Sequence, residues 1–445
     1  MVAGMARRRR LLGRVLLGAL LVVIVAAAAG YWYARPLLLT GTGYAAHNAC
    51  ALRHIAGRED AASDLPPNPL VPYLRTVVHD DGSVTASILG LLAKQTAWHT
   101  EGFGCTIGSK PPALPNAATP VSSSNPIAEA ASPADVAPAL AAALDGAFAD
   151  GLGTRAVVVV KDGELIAERY ADGFTKDTPQ LGWSMAKSVT NLLVGRMSDQ
   201  RAIALTDTDL RDDWARDERR DISVDDLLRM QSGLAWDETY DLGTAITKML
   251  YLDGDMAASA AAQPLVHAPG TFQQYSSGST NIVCDRLLRT TRESANLPRI
   301  QLFAPLGLTS AVWEPDASGV PVCSSYLWAT PRDWAAIGQF ALDDGVVGGE
   351  RLLPEGWMAE ATTNTTAETR EDENYGSGWW LNRRVDGGLE IPGLPEDAYW
   401  ASGHDGQRVF VVPSENLVIV RLGFSPDLGG GPLADLASAV ASAVR

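Results

Sequence analysis

The chain reads as an α+β protein whose antiparallel sheet is built from both chain ends. Helices flank that sheet, a mostly helical lobe is inserted into it, and a transmembrane helix precedes it. Three observations predict this architecture. Arg155–Val160 and Glu164–Tyr170 are strand-like runs on either side of an Asp162-Gly163 turn, a hairpin signal. Val409–Val412 and Leu417–Leu422 form a matching pair around Pro413-Ser414-Glu415-Asn416 near the other end. The long middle, roughly residues 195–395, is rich in helical and loop segments instead.

The elements follow in order. Arg7–Arg10 and Arg14 precede an uncharged run from Val15 to Ala34, long enough to span a bilayer as a helix. The arginines should stay on the cytoplasmic side, and Tyr31-Trp32-Tyr33 should sit at the far interface. Residues 1–35 are therefore expected to be a cytoplasmic tail and membrane anchor. A cleaved signal peptide ending in Ala26–Ala29 is the alternative. Either way the remainder is expected outside the cytoplasm, membrane-bound or secreted. Residues 36–109 form a small membrane-proximal segment, with Leu70–Val78 expected to be extended and Val84–Ala93 helical. Residues 110–133, rich in Pro, Ala, Ser and Asn, read as a linker. The main domain is expected over 134–445, opening on an Ala-rich helix at Ala134–Phe148 and closing on one from Pro432 to Val444.

Composition narrows the function. The 445 residues are 46% hydrophobic and 20% charged, ordinary globular usage. A formal net charge of −16 argues against a nucleic-acid partner, because phosphate binding needs a basic face. No H-E-x-x-H or C-x-x-C occurs, so neither metal nor cofactor is expected. The four cysteines are even in number and lie in the exported part, which suggests disulfides. The most economical pairing is Cys50–Cys105 and Cys284–Cys323, with free thiols as the alternative. Nothing suggests an oligomer, and a monomer is expected.

The chemistry concentrates in Trp183-Ser184-Met185-Ala186-Lys187-Ser188. If Ser184 opens a helix, Lys187 lies one turn later on the same face. A neutral amine there can take the serine proton, and burial lowers a lysine pKa. The helix start adds N–H groups for an oxyanion. The competing reading is a helix N-cap serine followed by a solvated lysine. Two downstream stretches add context. Tyr275-Ser276-Ser277-Gly278 offers a tyrosine that can shuttle a proton. Ser402-Gly403-His404-Asp405-Gly406-Gln407 precedes a strand, and its small residues would let a strand edge approach a substrate.

S-x-x-K, then Y-x-S, then H-x-G near the C-terminus resembles the serine β-lactamase and penicillin-binding-protein superfamily. The similarity is to its class C-like branch of esterases, DD-peptidases and 6-aminohexanoate-dimer hydrolases, over roughly residues 135–445. Ile222–Leu228 with Ser232-Gly233-Leu234, and Ser324-Ser325-Tyr326 with Ala329–Trp334, also resemble that branch. The resemblance implies that Ser184 is the acylated nucleophile, Lys187 its hydrogen-bonded partner and Tyr275 a general base and acid. It implies an oxyanion hole from the N–H groups of Ser184 and Gln407. His404, Gly406 and Ser277 would bind substrate, and Tyr240 resembles a loop tyrosine over the site.

Two departures stand out. Ser277 occupies the place of an asparagine, and His404 that of a lysine. Both replaced groups help hold a β-lactam, so a small linear amide or ester is the expected substrate of the acyl-enzyme route. A DD-peptidase or β-lactamase proper remains open. So do an α/β-hydrolase, with Gly182-Trp183-Ser184 as part of a nucleophile elbow, and a non-catalytic envelope-binding protein.

Overall fold

A computed structural model of the chain describes residues 2–445 apart from 292, 366, 370–373 and 427. The side chains of residues 1–10, including the cluster Arg7–Arg10, and of residue 369 lie outside the described set.

The first element is a single helix, α1 (Val2–His54), with Pro36 inside it. The expected boundary at residue 35 is therefore not a break in the helix. From Leu11 to Val25 its apolar side chains are exposed. From Thr40 onward Ala45, Ala46, Ala49 and Leu52 are buried. Small residues let neighbours come close: a Cβ on Gly43 would sit 2.8 Å from the Tyr251 side chain. A four-stranded antiparallel sheet packs on this half, formed in order by β1 (Leu74–Val78), β2 (Val84–Ile88), β3 (Leu92–Thr100) and β4 (Gly104–Ile107).

The expected helix over Val84–Ala93 is thus a hairpin. Val84, Ile88, Leu91 and Leu92 have helical spacing, but Leu89 and Gly90 take positive φ and reverse the chain. Cys50 in α1 is disulfide-bonded to Cys105 in β4, and Cys284 to Cys323.

Residues 110–125 carry no regular element, yet they lie against the main domain. Asn125 donates to Asp333, and Ala118 N–H donates to the Asn296 side chain. Then come α2 (Pro138–Ala147), the hairpin β5 (Thr154–Lys161) and β6 (Glu164–Tyr170), α3 (Met185–Asp199), α4 (Ser277–Thr291) and α5 (Pro331–Leu342). The chain finishes with β7 (Trp380–Leu381), β8 (Tyr399–Gly403), β9 (Gln407–Val412), β10 (Leu417–Gly423) and α6 (Gly430–Val444).

The main sheet runs β7-β8-β9-β10-β5-β6, so first and last strands of the domain are neighbours. Val418 pairs with Val160 and Val420 with Val158. Alternate residues face opposite sides, as strand geometry requires. Val158 and Val160 join the core shared with α3 and α5, while Val157 and Val159 pack against Leu140, Leu144, Leu436 and Val440 of α2 and α6. The region between α3 and β7 supplies the inserted lobe, including short helices at Val224–Leu228, Ala245–Leu252 and Met256–Ala261.

Candidate active site

Ser184 sits where the chain turns from the strand pair around Gln180–Leu181 into α3. Trp183 takes φ of +48°, unusual for a bulky residue and a strained entry to the helix. Gly182 has no room for a side chain, since a Cβ would lie 2.2 Å from the Trp334 ring. Ser184 makes no capping bond with its side chain. Lys187 is 1% exposed. Ser184 thus stands at the N-cap position without capping the helix through its side chain, and the lysine is not solvated.

The Lys187 ammonium position is defined by three oxygens. Nζ lies 2.8 Å from Ser184 Oγ, 2.9 Å from Ser277 Oγ and 3.1 Å from the Ser324 carbonyl. Ser277 Oγ in turn donates to Glu238 Oε1 at 2.6 Å, and its N–H donates to Glu238 Oε2. Trp236 Nε1 donates to the same carboxylate. Burial pulls the Lys187 pKa down from 10.5 to about 8, with the Glu238 charge acting in the opposite direction. Near neutral pH a useful fraction of the amine is therefore uncharged.

A count of protons then fixes the roles. A neutral amine has two N–H groups and one lone pair. The Ser324 carbonyl only accepts. Ser277 donates its only hydroxyl hydrogen to Glu238, so toward the amine its oxygen accepts too. The lone pair is left for Ser184, whose hydroxyl must donate to it.

The other expected residues are distributed unevenly. Tyr275 offers its ring to the lysine, with Nζ 4.8 Å from the centroid. Ser277 is fully buried, accepting from Lys187 and donating to Glu238. Tyr240 stacks on His404 with centroids 4.3 Å apart, and Trp183 meets both rings edge-on. The Tyr240 hydroxyl is buried and has no hydrogen-bond partner among the described residues. Gln407 pairs with Gly403 across the β8–β9 turn and sends its side chain to the Gly423 backbone. It is His404, not Gln407, that meets the rings beside Ser184. Gly406, at φ of +85°, backs against Arg421.

Glu238, Ser324 and Trp183 were not singled out by sequence reasoning as site groups. Nothing in the sequence marks Glu238, among Asp237, Glu238 and Asp241, as the acid that meets Ser277. Tyr44, from α1, stacks on Trp183 with centroids 6.1 Å apart, so the N-terminal helix reaches the same ring cluster.

The family model described as Beta-lactamase matches residues 141–431, more than half of the chain. The chain belongs to the beta-lactamase family. It is a serine hydrolase acting on amide or ester bonds, as that membership and its relatives indicate. The 6-aminohexanoate-dimer hydrolase of Paenarthrobacter ureafaciens is 26% identical over 300 residues, covering 62% of this chain and 73% of that one. Among solved structures, a protein assigned as a 6-aminohexanoate-dimer hydrolase from Bacillus anthracis aligns with a TM-score of 0.57 and 21% identity. It covers 71% of this chain and 87% of that one. A penicillin-binding-protein homologue from Caulobacter crescentus aligns with a TM-score of 0.56 and 18% identity over 70% of this chain and 99% of that one. These structural likenesses establish the fold.

Proposed function

We propose that this enzyme is an exported, membrane-anchored hydrolase of small linear amides or esters, with Ser184 as the acylated nucleophile. The observation that carries this reading is the buried Lys187 amine, 2.8 Å from Ser184 Oγ and with a pKa of about 8. In the forward step the Ser184 proton passes to Lys187 Nζ as Oγ attacks the substrate carbonyl. The oxyanion donors we assign are the N–H group at the start of α3 and one from the turn between β8 and β9. Collapse of the adduct expels the amine or alcohol, which takes up the proton from Lys187. Water then hydrolyses the ester to Ser184, with the same lysine receiving its proton.

Two features favour a linear substrate over a β-lactam. Ser277 has its only hydrogen engaged by Glu238 and its oxygen accepting from Lys187, so it has no donor to offer a lactam side chain. The pocket position of the lysine that would hold a lactam carboxylate is taken by His404, which is stacked on Tyr240. The unpaired Tyr240 hydroxyl is available to a substrate amide instead. The name of the curated relative, a hydrolase of a linear amide dimer, agrees with this direction. The exposed apolar stretch of α1, long and apolar enough to cross a membrane, supports the anchor.

Steady-state kinetics with nitrocefin, a short-chain p-nitrophenyl ester and a linear amide test the substrate class. A charge-assisted contact contributes about 1.5–3 kcal/mol, so kcat/KM for nitrocefin should fall at least tenfold below the ester. Equal or better turnover of nitrocefin would reject the linear-substrate reading.

A further inference from the structure

The end of the small sheet nearest the anchor carries apolar side chains that no other part of the described chain covers. Leu91 is 85% exposed, Leu89 59%, Tyr73 52% and Leu92 42%. Leu89 and Gly90 both take positive φ in the β2–β3 turn. Asn, Asp or Gly is favoured at such positions, so an exposed leucine there is costly for a protein that meets only water.

The tip is placed against α1 by a hydrogen bond. The Ala93 N–H donates to the Tyr31 hydroxyl at 3.1 Å. Tyr31 lies in the last turn of the uncharged run that ends at Ala34. From there β3 runs along α1 away from that run, with Gln95 reaching the Tyr251 carbonyl and His99 stacked on His54. The tip therefore stands level with Tyr31, Trp32 and Tyr33. Just behind it are Arg35, Arg75 and Lys94. No Asp or Glu occurs from Leu65 to His79 or from Gly82 to Thr100, in a chain with 52 acidic residues.

We propose that the β2–β3 tip dips into the interface of a bilayer containing anionic lipid, as a second membrane contact beside α1. Aromatic and basic residues behind an apolar edge match the headgroup layer, where both are favoured. A bilayer is the occupant argued here because the tip is continuous with, and bonded to, the exposed apolar surface of α1. A single helix leaves the catalytic domain free to swing over the membrane. Two contacts joined by a rigid helix fix its orientation, and hence the direction from which substrate reaches Trp183 and Tyr44. The proposal rests on the reading of α1 as a membrane anchor.

The four native cysteines are paired, so single added thiols can be labelled selectively in the full chain. Leu91→Cys, Val22→Cys and Asp80→Cys, each carrying an environment-sensitive dye, would be placed in vesicles of phosphatidylcholine and phosphatidylglycerol. Asp80 is in the turn at the opposite end of the same sheet. Lipid-borne spin labels near the headgroup should quench the Leu91 dye severalfold more than the Asp80 dye. Deeper labels should quench Val22. Leu89→Cys gives a second reading from the neighbouring position, and ester hydrolysis confirms folding in each case. Quenching at Val22 with Leu91 no different from Asp80 would overturn the tip contact while keeping the anchor. No quenching at Val22 would reject the anchor, and the tip contact with it.

Discussion

At the residue scale, the site depends on a chain of contacts from Glu238 through Ser277 to Lys187 and Ser184. Glu238 holds the Ser277 proton, which turns the Ser277 oxygen toward the lysine. Its charge also works against the fall in the Lys187 pKa. Glu238→Gln should therefore move the acid limb of kcat/KM to lower pH, since the amine loses the charge that favours its protonated form. It should also lower kcat about tenfold, the value of one hydrogen bond to a charged group. A pH–rate profile of the variant checks both. Lower activity with no shift of the acid limb would leave Glu238 with a packing role only. Ser184 and Lys187 were legible in the sequence because their partnership needs only helical spacing. Glu238 was not, because a half-buried carboxylate in a polar loop looks like any solvated one. Where the turn residues lie was not legible either: the Gln407 side chain turns to the Gly423 backbone, while His404 meets the Trp183 and Tyr240 rings.

At the element scale, the two hairpins that frame the main sheet were legible from alternation and turn residues. The Val84–Ala93 region was not, because β2 is buried along its whole length and its turn carries leucines. Burial on both faces erases the period that separates strand from helix. The disulfides have unequal consequences. Cys323 precedes Ser324, whose carbonyl accepts from Lys187, and Cys284 lies in the helix that Ser277 opens. Cys284–Cys323 therefore ties together the two groups that accept from the amine. By loop entropy either bridge, closing 55 or 39 residues, contributes up to about 4 kcal/mol. Replacing Cys284 and Cys323 by serine should lower both stability and kcat. Replacing Cys50 and Cys105 should lower stability with a smaller effect on kcat. Thermal unfolding and ester hydrolysis on both pairs decide this, and equal losses of kcat would contradict it.

At the scale of the molecule, the N-terminal unit and the hydrolase domain are one body. The buried Glu314 carboxylate accepts from Cys105 N–H on one side and Trp328 Nε1 on the other. Asp64 pairs with Arg58 beside it and with Arg155 on β5. Burial works to raise the Asp64 pKa, but the two guanidinium groups outweigh it and hold it at about 2. A depressed carboxylate stabilises above its unfolded value, near 3.8, and the contribution is lost as pH falls through about 2. That is worth about 2 kcal/mol. Denaturant unfolding from pH 5 to 2 should show this slope in the native chain and not in Asp64→Asn. An unchanged slope would show that the pair does not respond to pH as described. This joining was hidden in the sequence, where an uncharged run ending at Ala34 and a Pro-rich stretch suggested separate parts.

The central claim is that the uncharged form of Lys187, made accessible by a pKa of about 8, activates Ser184. The direct test is the rate at which a fluorophosphonate probe modifies the full-length enzyme, followed by intact mass and peptide mapping from pH 6 to 10. The adduct should form on Ser184, at a rate rising about tenfold per pH unit and levelling above pH 8, as expected for titration of one base. In Lys187→Ala that rate should drop by at least a hundredfold and lose its inflection near pH 8. An adduct on another residue, or Lys187→Ala labelling at the native rate with the same profile, would contradict the account.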